Sequence, residues 1–167
     1  MYAFAALDNS GTVHTWGNAS NGGAAPTGLT NIKTIFSNDF AFAALDNSGT
    51  VHSWGNDDHG GDLPANFTNG NIKTIFANPK AFAALDNSGT VHVWGTENNG
   101  GKLPEDFTNG NIKTIFSTRF AFAALDNSGS VQAWGLSNLG GAAPTGLTNI
   151  KTIFRNANAF AALDNSG

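Results

Sequence analysis

Short apolar segments recur along the chain, each bounded by turn residues. Ile-Lys-Thr-Ile-Phe at 32–36 is rich in β-branched and aromatic side chains, which suit a pleated, buried surface. Ala-Phe-Ala-Ala-Leu-Asp follows at 41–46, and Thr-Val-His-Ser-Trp-Gly at 50–55. The pattern predicts three strands. Between the second and third lies Asp-Asn-Ser-Gly, a tight hairpin signal: Asp or Asn opens the turn and glycine takes the positive-φ position. After Trp-Gly comes Gly-Gly-x-x-Pro, which continues neither strand nor helix. No long segment free of Gly and Pro carries a 3.6-residue period, so a helical reading fails.

The same unit returns at a fixed interval. Ala-Phe-Ala-Ala-Leu-Asp-Asn-Ser-Gly occurs five times, ending at Gly11, Gly49, Gly89, Gly129 and Gly167, with spacings of 38, 40, 40 and 38. Such near-identity means recent duplication or a sequence regularised by hand. The repeat units run approximately 1–31, 32–71, 72–111 and 112–149, and 150–167 is expected to complete a blade with the N-terminal strands. One three-stranded sheet cannot bury both faces, whereas repeats stacked around an axis can, with only short edges left over. Ala41, Ala43 and Ala44 let neighbouring sheets approach, and Phe42 and Leu45 fill the wider gaps. The expected fold is all-β: a β-propeller with three-stranded antiparallel blades, four repeats per chain, and Ile-Lys-Thr-Ile-Phe innermost.

Composition narrows the function. Net charge is −4 and no basic run exists, which argues against nucleic acid, because phosphate binding needs clustered Lys and Arg. No apolar run approaches the ~20 residues of a membrane helix. The chain has no cysteine, so disulfide and thiolate chemistry are absent.

The pattern Ile-x-x-Ile, then Phe-Ala-Ala-Leu-x-x-x-Gly-x-Val-x-x-Trp-Gly, runs in full from Ile32 through Leu45, Gly49 and Val51 to Trp54 and Gly55. It resembles the blade motif of the regulator-of-chromosome-condensation family of β-propellers. Short three-stranded blades with Gly-Gly-x-x-Pro after Trp-Gly are most similar to the secreted bacterial β-lactamase-inhibitor propeller. The resemblance implies a propeller fold and, for a natural protein, a secreted or cell-surface bacterial setting. It says little of function, since one fold hosts many. Relatives close with about seven blades, and this chain has four repeats.

Candidate chemistry is sparse. His14, His52 and His92 hold one position in successive repeats, with Gln132 in the fourth. Equivalent positions in stacked sheets lie ~10 Å apart, too far to share a metal. They read as polar strand residues beside Trp16, Trp54 and Trp94. Asp8, Asp46, Asp86, Asp126 and Asp164 lack the further ligands of a calcium loop and read as carboxylates capping their own turns. The tryptophans read as packing elements between blades, with sugar stacking as the alternative. No acid–base pair, nucleophile or phosphate loop is apparent, and no enzyme, cofactor or metal is expected.

Variation between repeats concentrates in two places. After Trp-Gly stand Asn56, Asp57, Asp58 and His59 in one repeat and Thr96, Glu97, Asn98 and Asn99 in the next. Between the first two strands stand Phe40, Lys80, Arg119 and Phe120, within the segments 38–40, 78–80 and 118–120. In an antiparallel blade both segments emerge on one face, opposite the invariant turns. A constant scaffold with variable loops is how a recognition surface is built. The expected function is non-catalytic protein binding or scaffolding. A lectin-like sugar binder and an engineered symmetric propeller with no natural ligand compete with it. The partner expected first is the chain itself. Its ends hold complementary parts of one blade, so two chains exchanging ends would form an eight-bladed homodimer, and one chain closing on itself is the alternative. Five second strands serve four blades, so one copy, at 2–7 or at 160–165, is redundant.

Overall fold

A computed structural model describes residues 2–167. The described residues form thirteen strands: β1 (Ala3–Leu7), β2 (Val13–Gly17), β3 (Ile32–Ser37), β4 (Ala41–Asp46), β5 (Val51–Gly55), β6 (Ile72–Asn78), β7 (Ala81–Asp86), β8 (Val91–Gly95), β9 (Ile112–Ser117), β10 (Ala121–Asp126), β11 (Val131–Gly135), β12 (Ile150–Arg155) and β13 (Phe160–Asp164). Among the described residues the only helical pieces are four three-residue 3-10 turns.

Three sheets are complete: β3-β4-β5, β6-β7-β8 and β9-β10-β11, each antiparallel with the alanine-rich strand in the middle. Phe42 lies opposite Trp54, and Ala44 opposite His52. The first strand joins with a register shift between Ile32 and Thr34, which recurs in β6 and β12. Successive first strands lie against one another, which puts Ile-Lys-Thr-Ile-Phe innermost, as the sequence predicts. Two further sheets have two strands each, β1-β2 lacking a first strand and β12-β13 lacking a third.

Every sheet packs one face onto the next in the same way. Ala41, Ala43, Leu45 and Val51 meet Ile72, Ile75, Phe82, Ala84 and Trp94 of the following sheet. The pattern repeats one sheet on, with Ala81, Ala83, Leu85 and Val91 against Ile112, Ile115, Phe122, Ala124 and Trp134. One face of each interface is small and the other large, so the two faces complement each other in size. Ala43 and Ala44 are fully buried on opposite faces of β4, which leaves no room for a larger side chain on either. Large exposed apolar side chains gather where the row of sheets stops: Phe4 and Trp16 on β1-β2, and Phe154 on β12.

Candidate binding surface

Each third strand ends in a glycine that turns the chain sharply. Gly55 has φ +122°, and a Cβ there would sit 2.7 Å from the Phe40 carbonyl oxygen, so only glycine lets the loop pass so close. The chain then makes a 3-10 turn, Asp57–His59 in the second repeat and Glu97–Asn99 in the third. The sequence pattern did not reveal these turns, because three residues carry no periodicity. The invariant Gly-Gly after them is the signal that could have done so.

The two variable segments meet at one end of the sheets. Asn38 Nδ2 donates to the His59 carbonyl at 2.7 Å, and Asn78 Nδ2 to the Asn99 carbonyl at 2.7 Å. In the fourth repeat Thr118 Oγ1 takes this part, donating to the Leu139 carbonyl at 3.3 Å. The Asn38 and Asn78 Oδ1 atoms also accept two backbone N–H groups each from their own loops. Neighbouring blades are linked as well, by Thr96 Oγ1 to the Asp58 carbonyl and by the Asp39 N–H to the Pro79 carbonyl. The loops therefore form one connected shelf.

Asp57, Asp58, Glu97, Asn98 and Arg119 are exposed on it. Asn56, His59, Thr96, Lys80, Phe40 and Phe120 are half-buried. The Phe40 ring packs on His59 at 4.3 Å, and His59 Nδ1 lies 2.7 Å from Asn56 Oδ1. Burial, then the charge of Lys80, holds the His59 pKa below its ordinary value, which favours the uncharged ring. Three residues expected at the surface are not there. Asn99, Asn78 and Thr118 are 9%, 5% and 3% exposed and support the loops from beneath.

The opposite end carries the invariant turns. Asp46 Oδ1 accepts from Ser48 N, Ser48 Oγ and Thr50 N, and Asp46 Oδ2 faces His52 Nε2 at 3.3 Å. Burial opposes ionisation of Asp46, but these bonds outweigh it and hold the pKa at about 2. His14, His52 and His92 thus each face the carboxylate of their own turn, two residues before the tryptophan of the same strand. Gln132, which replaces histidine, instead bonds Thr108 of the preceding loop through both amide atoms.

The tryptophans lock blade to blade. Trp54, Trp94 and Trp134 are buried, and each Nε1–H donates to a carbonyl of the preceding repeat: Gly22 at 3.0 Å, Gly60 at 3.1 Å and Gly100 at 3.0 Å. Buried in this way, these three offer no platform to a sugar.

No protein-family model and no curated protein matches the sequence. Solved structures do match. Yeast RCC1 (Prp20), solved with Kap60 bound to it, superposes with a TM-score of 0.61 over 99% of this chain and 53% of its own, at 17% identity. The ectodomain of the Physcomitrella patens receptor kinase CR4 gives 0.57 over 93% and 43%, at 16% identity. The computationally designed Ika8 protein gives 0.50 over 97% and 52%, at 13% identity.

The fold is a β-propeller. At these identities the likeness is one of fold alone, and the chain spans about half the length of these three structures. Within the propeller the shelf of variable loops and the floor of Asp-Asn-Ser-Gly turns are its two opposite faces.

Proposed function

We propose that this propeller is a non-catalytic binding or scaffold module that recognises protein through the loop shelf. The observation that carries the reading is the segregation of variation. The segments 56–59, 96–98, 39–40, 79–80 and 119–120 vary in sequence among the repeats and share one face above buried Asn99, Asn78 and Thr118, while the Asp-Asn-Ser-Gly turns on the other face are identical. Exposed Asp57, Asp58, Glu97 and Arg119 share the shelf with half-buried Lys80, Phe40 and Phe120, so it offers charges of both signs together with aromatic rings. Mixed charge around aromatic anchors is the chemistry of a protein interface. The Prp20 structures concern binding of Gsp1p, histones and Kap60, all protein partners of that protein.

The test is a parallel screen of protein and glycan arrays with the wild-type chain and with D57A/D58A/E97A/R119A. Protein binding that is lost in a variant with an unchanged melting temperature supports the reading. Glycan binding, or protein binding that survives the four substitutions, overturns it. An engineered propeller without a natural ligand is the second reading, favoured by the near-identity of the repeats and the likeness to Ika8. It gives no binding in either array.

The same proposal includes the chain as its own partner. The repeat units 1–31, 32–71, 72–111 and 112–149 would then form one half of an eight-bladed homodimer, with 150–167 completing a blade with the N-terminal strands of the other chain. Exposed Phe4 and Trp16 at one end of the row and Phe154 at the other favour this reading. So does the overlay on about half of larger propellers.

A further inference from the structure

Three tryptophans sit in seats built by the preceding repeat, and a fourth seat of the same make is open. The filled seats pair Gly22 with Leu29 and Phe42 around Trp54, Gly60 with Phe67 and Phe82 around Trp94, and Gly100 with Phe107 and Phe122 around Trp134. The open seat has Gly140, Leu147 and Phe160, with Ile153 and Ala133 as its floor, around a cavity of about 350 Å³. Its loop at 140–148 is identical in sequence to the loop at 22–30 that seats Trp54. The one tryptophan without a seat is Trp16, 53% exposed on β2 and stacked only on Phe4 at 5.4 Å. The edge of β13 beside the seat pairs with no third strand.

We propose that the open seat receives the partner subunit's Trp16, with the partner subunit's β2 adding antiparallel to the free edge of β13. This rests on the self-association reading and gives it an atomic form. The register follows from β4-β5, where Phe42 faces Trp54 and Ala43 faces Ser53. Phe160 then faces the partner subunit's Trp16, Ala161 faces the partner subunit's Thr15, and the indole N–H donates to the Gly140 carbonyl. Strand addition supplies main-chain bonds, and the seated aromatic supplies the burial.

The geometry also decides which alanine-rich copy gives way. β13 is held at both ends: the Arg119 N–H of the preceding repeat donates to the Ala157 carbonyl in the loop before it, and Asn165, just after it, donates its N–H and Nδ2 to the Asn149 carbonyl just before β12. Among the described residues β1 itself bonds only β2 and is held to β3-β4-β5 by small side chains such as Ala3, and the one backbone bond from its hairpin to the next sheet, from the Ile32 N–H to the Gly11 carbonyl, is made by the turn that precedes β2. β1 therefore yields β2 to the partner, and β13 stays.

The chain has no cysteine, so engineered pairs report the contact cleanly. Opposed Cβ atoms on paired strands lie about 5 Å apart, close enough to bridge. Thr15→Cys chains mixed with Ala161→Cys chains should give a disulfide-linked species of twice the 17.3 kDa chain mass on a non-reducing gel. Wild type should show that doubled mass by light scattering, and Trp16→Ala should raise the dissociation constant at least about tenfold. A T15C/A161C chain that cross-links within itself at monomer mass would mean the seat is filled by its own β2, which overturns the proposal. A monomeric wild type with no cross-link overturns both this proposal and self-association. A doubled mass without the cross-link leaves self-association standing and removes the strand assignment.

Discussion

Trp94 is the sharpest probe of how the blades hold one another. Its indole is 2% exposed and donates to the Gly60 carbonyl at 3.1 Å across the interface. Trp94→Phe keeps an aromatic ring against Phe82 but deletes the donor. A buried acceptor left without its partner costs about 1–3 kcal/mol. The smaller ring leaves a void of roughly 40 Å³, worth about 1 kcal/mol at ~24 cal/mol per Å³. The expected loss is about 2–4 kcal/mol. Urea denaturation followed by circular dichroism in the strand region measures it. With a slope of about 2 kcal/mol per molar, the midpoint should fall by about 1–2 M. Trp134→Phe should cost the same, because its bond to Gly100 has the same geometry at 3.0 Å. A fall of less than about 0.25 M for either variant, on the same slope, would refute the view that the indole bond locks the blades.

Further expectations concern the two faces. Asp57→Ala and Asp58→Ala should change stability by no more than about 0.5 kcal/mol, since both side chains are exposed; a larger shift in thermal midpoint would show that the shelf is structural rather than presented. His59→Ala should cost about 1 kcal/mol in the same measurement, because it removes the bond between His59 Nδ1 and Asn56 Oδ1 at 2.7 Å. Asn78→Ala should cost about 1–3 kcal/mol, as it strips the Asn99 carbonyl and two loop N–H groups of their partner. Asp46 has its pKa lowered from 3.8 to about 2, so its stabilising contribution is fully present above the unfolded value and is lost as pH falls through the folded one. An acid titration should therefore show stability declining from about pH 4 towards pH 2, and Asp46→Asn should flatten that decline.

Most of the architecture was legible because each strand carries its own period and each turn its own residues. Asp-Asn-Ser-Gly announced a hairpin, and the structure closes it through Asp46 Oδ1 as a self-capped turn. The strand order and the meeting of the two variable segments at one end followed from counting antiparallel reversals. What was hidden depends on long-range contacts. Asn78, Thr118 and Asn99 look like ordinary polar loop residues, and only the folded path shows that they are buried. The histidines looked like plain strand positions, yet their spacing of six residues from each turn carboxylate brings the two together. The tryptophan seats were the least visible, since plug and seat lie 32 to 34 residues apart in different repeats.

The seat for each tryptophan is the carbonyl of a glycine in the repeat before it, and that gives the row a direction. Every repeat brings forward a plug for its predecessor and a socket for its successor. A duplicated repeat inserted anywhere in the row therefore arrives with both halves of its own fastening and leaves none unmatched. Array length can therefore change by whole repeats while every internal fastening stays matched.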